Sequence, residues 1–408
     1  MTTLLGALVV GAGGLLMGSG AWPFKLMRQF RFEHWWFVGM LVGLVLMPWA
    51  IVLAGCPHPL QSLARVPLEA ILLGNFFAVG WGIANVLCGI CYVRIGVAMT
   101  GAILAGLGVS VGAIVPMVFK GSGLFQDAAD LGSPAGRTVL AAVGLMLVGV
   151  AFASVAGFGR DRQLQKLDRG SGSFLSGLLM TVAAGVLSSF MAFAFVYSQD
   201  PIVAELAAVG PGSPVQWKSE KAVEPQKLEV DGQGRLSVPG VGSIAVGGLS
   251  IREARSRVET EIEAATGHAA KVQIEPGIAA TFGVFAVGLI GGAVVNLAYA
   301  AWLLTKNRSW NVLGQNGREL ALAVLIGVDF SLAVALMGKG MLLLGALGAS
   351  VGWGIQQAMQ MTGTQLVGFI SGEWRGVQGK PRRQMYVALA ILILAAVLMA
   401  FGNTLAKG

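Results

Sequence analysis

Ten stretches of mainly apolar residues follow one another along the chain, near 3–22, 35–54, 69–91, 95–118, 138–157, 174–197, 279–304, 320–338, 343–370 and 385–404. Each is close to the roughly 20 residues that a helix needs to cross a bilayer. The pattern predicts an all-α polytopic membrane protein of about ten transmembrane helices. A tight turn around Tyr92–Gly96 parts the third stretch from the fourth, and the eighth meets the ninth at Gly338-Lys339-Gly340. Five stretches precede the basic segment 158–172 and five follow it. An odd number per half makes the halves run in opposite directions, the geometry of two inverted five-helix repeats with a solute site between them. The chain then divides into a first repeat, 1–157, a second repeat, 158–197 with 279–408, and an insert, 198–278.

The insert breaks the apolar pattern. It holds more than half of the 20 acidic residues, from Asp200 to Glu275. Leu228–Gly234 reads as a strand entering a glycine turn, and Arg235–Val246 as short strands broken at Pro239-Gly240. Ser250-Ile-Arg-Glu253 is a capping box opening a helix, along which Ile251, Ala254, Val258 and Ile262 recur at helical spacing. Lys271–Pro276 closes as a strand. The expectation is a small α+β soluble domain, autonomous and joined to the sixth and seventh helices.

Composition agrees with lipid as the solvent: 55% of residues are hydrophobic and only 12% charged, with a mean hydropathy of +0.74. Sixty glycines let helix backbones approach closely. The net charge of +8 raises nucleic acid as a partner, but the basic residues sit in short connections rather than along one face. Lys25, Arg28, Arg31, Arg94, Arg160, Arg162, Lys166, Arg169, Lys306, Arg308, Arg318, Arg375, Lys380, Arg382 and Arg383 occupy odd-numbered connections. Only Arg65, Lys120, Arg137 and Lys339 occupy the short even ones. The positive-inside rule therefore places odd connections in the cytoplasm, and the insert and both termini outside a bacterial inner membrane. The first positive charges follow the first apolar run, which argues against a cleaved leader. Three cysteines provide no disulfide framework, and Cys88-Gly-Ile-Cys91 lies in an apolar run without His or acidic company. No metal cluster, no cofactor motif and no nucleophile–base pairing is present. The run Gly11-Ala-Gly-Gly14 lacks the Lys-Ser/Thr of a phosphate loop.

Polar residues inside a membrane are costly and so are functional candidates. Trp81, Asn85 and Cys88 share one face of the third helix. An aromatic platform beside an amide suits a sugar, whose C–H face stacks on a ring while its hydroxyls bond the amide; interhelical packing is the competing reading. Trp353, Gln356, Gln357 and Gln360 crowd the ninth helix, more amides than helix adhesion requires. Asp329 is the one acidic residue near the middle of an apolar stretch. A carboxylate there can be neutral in one state and ionised in another, which proton coupling requires.

Outside the insert the chain resembles the L-rhamnose–proton symporter family of the drug/metabolite transporter superfamily. The resemblance rests on Pro23-Phe24-Lys25, Phe32-Glu33-His34-Trp35-Trp36, Pro48-Trp49, Trp81-Gly82-Ile83-Ala84-Asn85, Gly352-Trp353 and Gly372-Glu373-Trp374-Arg375-Gly376, in family order. It implies ten spans and symport of a sugar, rhamnose or a related monosaccharide, with protons, and no enzymatic activity. It also makes Glu33 the rival of Asp329 for coupling, although a carboxylate at a helix N-terminus can serve the helix dipole alone. The run VDGQGRLSVPGVGSIAVGGLSIREA, within Leu228–Pro276, resembles the periplasmic domain of Wza-like polysaccharide exporters. That implies contact of the insert with polysaccharide or export machinery, and an alternative role in exopolysaccharide export or assembly; a mere spacer is the plainer reading.

Overall fold

The computed structural model describes residues 2–20, 22–95, 97–164, 174–219 and 226–406. Gly96, Lys166, Arg169, Glu220 and Glu224 lie outside them, and with Gly96 the turn expected after the third helix. Ten helical elements correspond to the ten apolar stretches. They are α1 (Thr2–Ser19), α2 (Phe32–Leu41, a π-helical turn Val42–Leu46, and Met47–Gly55), α3 (Leu68–Ile95), α4 (Val97–Val118) and α5 (Pro134–Gln163). After these come α6 (Phe174–Ser188 and Phe190–Leu206), α7 (Ile278–Thr281, a π-helical turn Val284–Gly288, and Ile290–Lys306), α8 (Gly317–Leu344), α9 (Gly348–Ile370) and α10 (Lys380–Leu405). Among the described residues seven helices are long and apolar enough to cross a membrane, and α7, bent by 61°, makes an eighth. The apolar part of α4 is shorter, Ile103–Val118, and α9 carries the amides. The polytopic helical architecture is thus the one the pattern predicts.

Local signals set the helix starts. Ser133 Oγ accepts from the Gly136 N–H at 3.0 Å with Pro134 as first residue of α5, and Asn316 Oδ1 accepts from the Glu319 N–H at 3.1 Å to open α8. Small residues set the packing. A Cβ on Gly13 would lie 2.6 Å from the Ala333 carbonyl oxygen, and one on Gly14 would lie 2.5 Å from that of Gln356. Consequently α1 lies wedged between α8 and α9, backbone close to backbone.

The principal packed pairs repeat between halves. Helix α1 packs on α8 and α9, as α6 packs on α3 and α4; α2 packs on α8, as α7 packs on α3; α4 packs on α5, as α9 packs on α10. The pairs α2–α7, α4–α9 and α5–α10 complete the bundle. Each helix has its counterpart five places on, and exchanging counterparts returns the same pairs.

The insert contains a three-stranded antiparallel sheet, ordered β2 (Gln226–Glu229), β1 (Pro214–Ser219), β5 (Ala270–Ile274), and a hairpin of β3 (Arg235–Val238) with β4 (Gly242–Ala245). The insert helix, Ile251–Thr266, starts at the predicted capping box: Ser250 Oγ accepts from the Glu253 N–H while the Glu253 carboxylate accepts from the Ser250 N–H at 3.1 Å. That backbone bond holds the Glu253 carboxyl below the usual carboxylate range. The insert, expected as an autonomous unit, shares its apolar core with the bundle. Its core residues Val215, Trp217, Leu236, Val258 and Ile262 belong to one continuous apolar cluster with Phe195, Phe285, Met337 and Trp81 of the bundle. A domain of this size is near the lower limit for folding alone, and its core continues onto the helix ends beneath it.

Candidate functional site

A polar group that ties helices inside the bundle is absent from the site residues predicted from the sequence. Asn296, on α7, is fully buried. Its Oδ1 accepts from Trp36 Nε1 of α2 at 3.2 Å and from Asn85 Nδ2 of α3 at 3.3 Å, while its Nδ2 donates to the Gly292 carbonyl at 2.8 Å. One amide therefore ties three helices. Its signal in the sequence was a lone Asn in an otherwise apolar run, four residues after Gly292.

One turn from Asn85, Trp81 stacks on Phe330 of α8, with ring centroids 6.4 Å apart and planes within 15°. The ring also lies against Gly292, where a Cβ would come within 2.8 Å of Cε3. Trp81, Phe330, Asn85, Trp36 and Asn296 form one aromatic and amide group, of which Trp36, Asn85 and Phe330 are only half-buried. Aromatic faces beside amides with free hydrogen-bonding capacity fit a polyhydroxylated, uncharged solute.

The predicted residues of α9 divide. Trp353 is buried and its Nε1 donates to the Gly108 carbonyl of α4 at 2.9 Å, so its polar atom binds helix to helix. Gln356 Nε2 donates to Gln360 Oε1 at 2.8 Å and contacts Met17 Sδ at 3.0 Å. Gln356 Oε1 is buried without a partner, an acceptor left open inside the bundle. Gln357 is half-buried and engages no described hydrogen bond. Trp81 and Trp353 nevertheless share one cluster, with Met17, Trp36 and Phe330 packed at its edge.

The two candidate carboxylates lie apart. Asp329 is half-buried on α8, pointing at the end of α1, where a Cβ on Gly20 would collide with its carboxylate; it makes no described ion pair. Glu33 is buried at the start of α2, where Oε1 accepts from Asn307 Nδ2 at 2.9 Å. Asn307 lies eleven residues beyond Asn296, just past the end of α7, and Glu33 lies about one turn before Trp36 on α2, at the edge of the aromatic group.

Two motif segments far apart in sequence meet at the bundle end opposite the insert. Lys25 bonds Glu373 and donates to Ser371 Oγ at 2.8 Å, and Arg160 reaches Glu373 Oε2 at 3.2 Å. Arg160 also lies 5.4 Å over the Trp374 ring. Phe24 stacks on Trp35 nearby, at 5.6 Å. Glu319, which the sequence reading passed over, collects the N–H groups of Arg28, Gln29 and Phe30 at 2.7–3.2 Å, fixing the connection between α1 and α2.

The pattern of the family described as L-rhamnose-proton symport protein (RhaT) matches residues 4–214, just over half of the chain. An L-rhamnose-proton symporter of Yersinia pestis bv. Antiqua (strain Antiqua) is 28% identical over 172 residues, 42% of this chain and 49% of that protein. One of Yersinia pseudotuberculosis serotype O:1b (strain IP 31758) is 28% identical over the same length, 48% of that protein. The matched stretch thus spans about half the length of these relatives.

Proposed function

The chain belongs to the L-rhamnose-proton symport protein family, and from that premise we propose that it is a secondary carrier moving rhamnose or a related monosaccharide together with protons across the bacterial inner membrane. The observation that carries the proposal is where the aromatic and amide contacts fall. Trp36–Asn296 joins α2 to α7, Trp81–Phe330 joins α3 to α8, and Trp353–Gly108 joins α4 to α9. Each couples a helix to its counterpart five places on. In a protein of two inverted repeats such contacts surround the pseudo-two-fold axis, where the solute binds. The repeated packing pairs support that division of the chain. The solute site on this reading comprises Trp81, Asn85, Gln356, Gln357 and Gln360, with Trp353 holding α9 in place and Asn296 orienting Asn85 and Trp36. No Lys or Arg takes part in these contacts, which favours an uncharged polyol over a carboxylate.

Asp329 is the coupling carboxylate on this reading, since it lies in the middle of α8 and makes no ion pair among the described residues. Glu33, bound to Asn307, serves as the comparison. The insert is extracytoplasmic: the basic connections around Lys25, Arg160 and Glu373 gather at the opposite end, as the positive-inside rule requires of the cytoplasmic side. An export role with the insert as docking domain gains nothing from the family match, which ends at Pro214, in the first strand of the insert.

The test is transport in proteoliposomes. Asp329→Asn keeps shape and hydrogen bonding while removing the proton. It is expected to abolish pH-driven accumulation of rhamnose and to leave solute exchange intact, because exchange moves no net proton. Normal accumulation by Asp329→Asn beside failure of Glu33→Gln would move coupling to the start of α2.

A further inference from the structure

The bundle is sealed at the end that carries the insert. Every described residue of Met191–Leu206 except Tyr197 and Pro201 is buried, as is nearly all of Ser331–Gln356 across α8 and α9. One turn below the surface, Gln199 Nε2 of α6 donates to the Gly338 carbonyl of α8 at 2.6 Å. Above this seal the insert touches both halves of the protein. Arg255 of the insert helix grips Asp200 at 3.3 and 3.4 Å, and Arg252 bonds Glu205 at 2.9 Å, both at the end of α6. Lys271 of β5 pairs with Asp127, between α4 and α5, at 2.6 Å, and Glu253 pairs with Arg65, between α2 and α3, at 3.0 Å. On α8, Lys339 donates to the Pro276 carbonyl at 2.6 Å, and Leu342 accepts from Gln273 Nε2 at 3.1 Å. The void left between insert, α6 and α8 is ≈ 20 Å³, room for about one water.

These bridges differ in strength. The carboxylates of Asp200 and Glu205 are 8% and 6% exposed, so separating them from their arginines would strand buried charge. Lys271–Asp127 and Arg65–Glu253 are about half or more exposed on both sides, and such pairs part readily. The strong bridges go to α6, from which the insert grows; the weak ones cross to the first repeat.

We propose that the insert is an outer lid of the carrier, hinged on α6 through Arg255–Asp200 and Arg252–Glu205 and latched to the first repeat through Lys271–Asp127 and Arg65–Glu253. The proposal rests on the carrier reading. A carrier must open this end to reach its outer state, which separates one repeat from the other. The insert bridges the two repeats, so the end stays shut while the latch pairs hold. Releasing them lets the insert tilt about its α6 hinge and lift from α8, which breaks the Gln273–Leu342 contact and uncovers Leu342, now 4% exposed.

The experiment uses full-length protein in nanodiscs, with Cys56, Cys88 and Cys91 replaced and Leu342→Cys as reporter of maleimide labelling. Asp127→Lys is expected to speed labelling about 1.4- to five-fold, the range that one exposed ion pair spans, and adding Lys271→Asp is expected to restore the slow rate. A second arm joins Asp127→Cys to Lys271→Cys with a cleavable cross-linker. Joined protein should lose rhamnose uptake and regain it on cleavage. Labelling that ignores both charge changes, or uptake at the parent rate by joined protein, would overturn the lid. Should the parent itself move no rhamnose, the carrier reading fails, while the labelling arm still decides whether the insert opens.

Discussion

Asn296→Ala is the sharpest test of the arrangement inside the bundle. The substitution deletes one oxygen that receives two interhelical N–H bonds, from Trp36 at 3.2 Å and Asn85 at 3.3 Å. Interhelical side-chain bonds in membranes contribute on average about 0.6 kcal/mol and at most about 1.7 kcal/mol each. The two bonds together give roughly 1–3 kcal/mol. Both donors are then left inside the bundle without a partner, which places the expected loss toward the upper part of that range. The assay is equilibrium unfolding in mixed micelles, followed by circular dichroism. Trp36→Phe removes one of the two donors, so a double-mutant cycle should return a coupling of roughly 0.5–1.5 kcal/mol between positions 36 and 296. Thermal stabilisation by rhamnose should shrink in parallel, because Asn85 and Trp36 lose the group that orients them. A single-mutant cost below about 0.5 kcal/mol, with no coupling in the cycle, would show that the three helices are not tied through this amide.

Gly18→Ala should cost about 1–3 kcal/mol, because its Cβ collides with the Gln360 carbonyl and falls 2.9 Å from the Thr364 nitrogen. Gly89→Ala, where a Cβ meets nothing within 4 Å, should be neutral or stabilising, and equal effects at the two sites in a thermal melt would refute the close packing of α1. Trp353→Phe should lower stability by about 1 kcal/mol through loss of the Gly108 bond, yet leave rhamnose affinity near the parent value. Trp81→Leu should weaken rhamnose binding in calorimetry beyond any loss of stability; parent-like affinity there beside weakened binding in Trp353→Phe would reverse the assigned roles.

The ten apolar stretches gave the ten helices because length and hydropathy are local properties. The insert helix was legible for the same reason: Ser250 and Glu253 carry its start, and Ile251, Ala254, Val258 and Ile262 are its buried face. Strand β1 escaped because Pro214, Gln216 and Lys218 make it read as a polar connection, though Val215 and Trp217 alternate inward. Partners were harder to read than elements. Periodicity on α9 identified a polar face but not that Gln356 would bond Gln360, nor that Trp353 would turn its nitrogen to Gly108. Asn296 and Glu319 owe their importance to groups more than 200 residues away. The insert looked autonomous because charge and turn signals mark its edges, while the shared core depends on which helix ends lie beneath it.

The wedging of α1 between α8 and α9 has a consequence for how the protein is made. The Thr364 hydroxyl that bonds the Gly18 carbonyl lies 346 residues further along the chain. At ribosomal rates of about 5–20 residues per second, α1 precedes that partner by roughly 20–70 s. Helix α1 therefore waits for α8 and α9 before it finds its place. Throughout that interval its glycine face, Gly13, Gly14 and Gly18, meets only lipid or the wrong neighbour. The seat of α1 is complete only once α8 and α9 are in place, and substitutions on that face would act first on the yield of inserted protein and only then on transport.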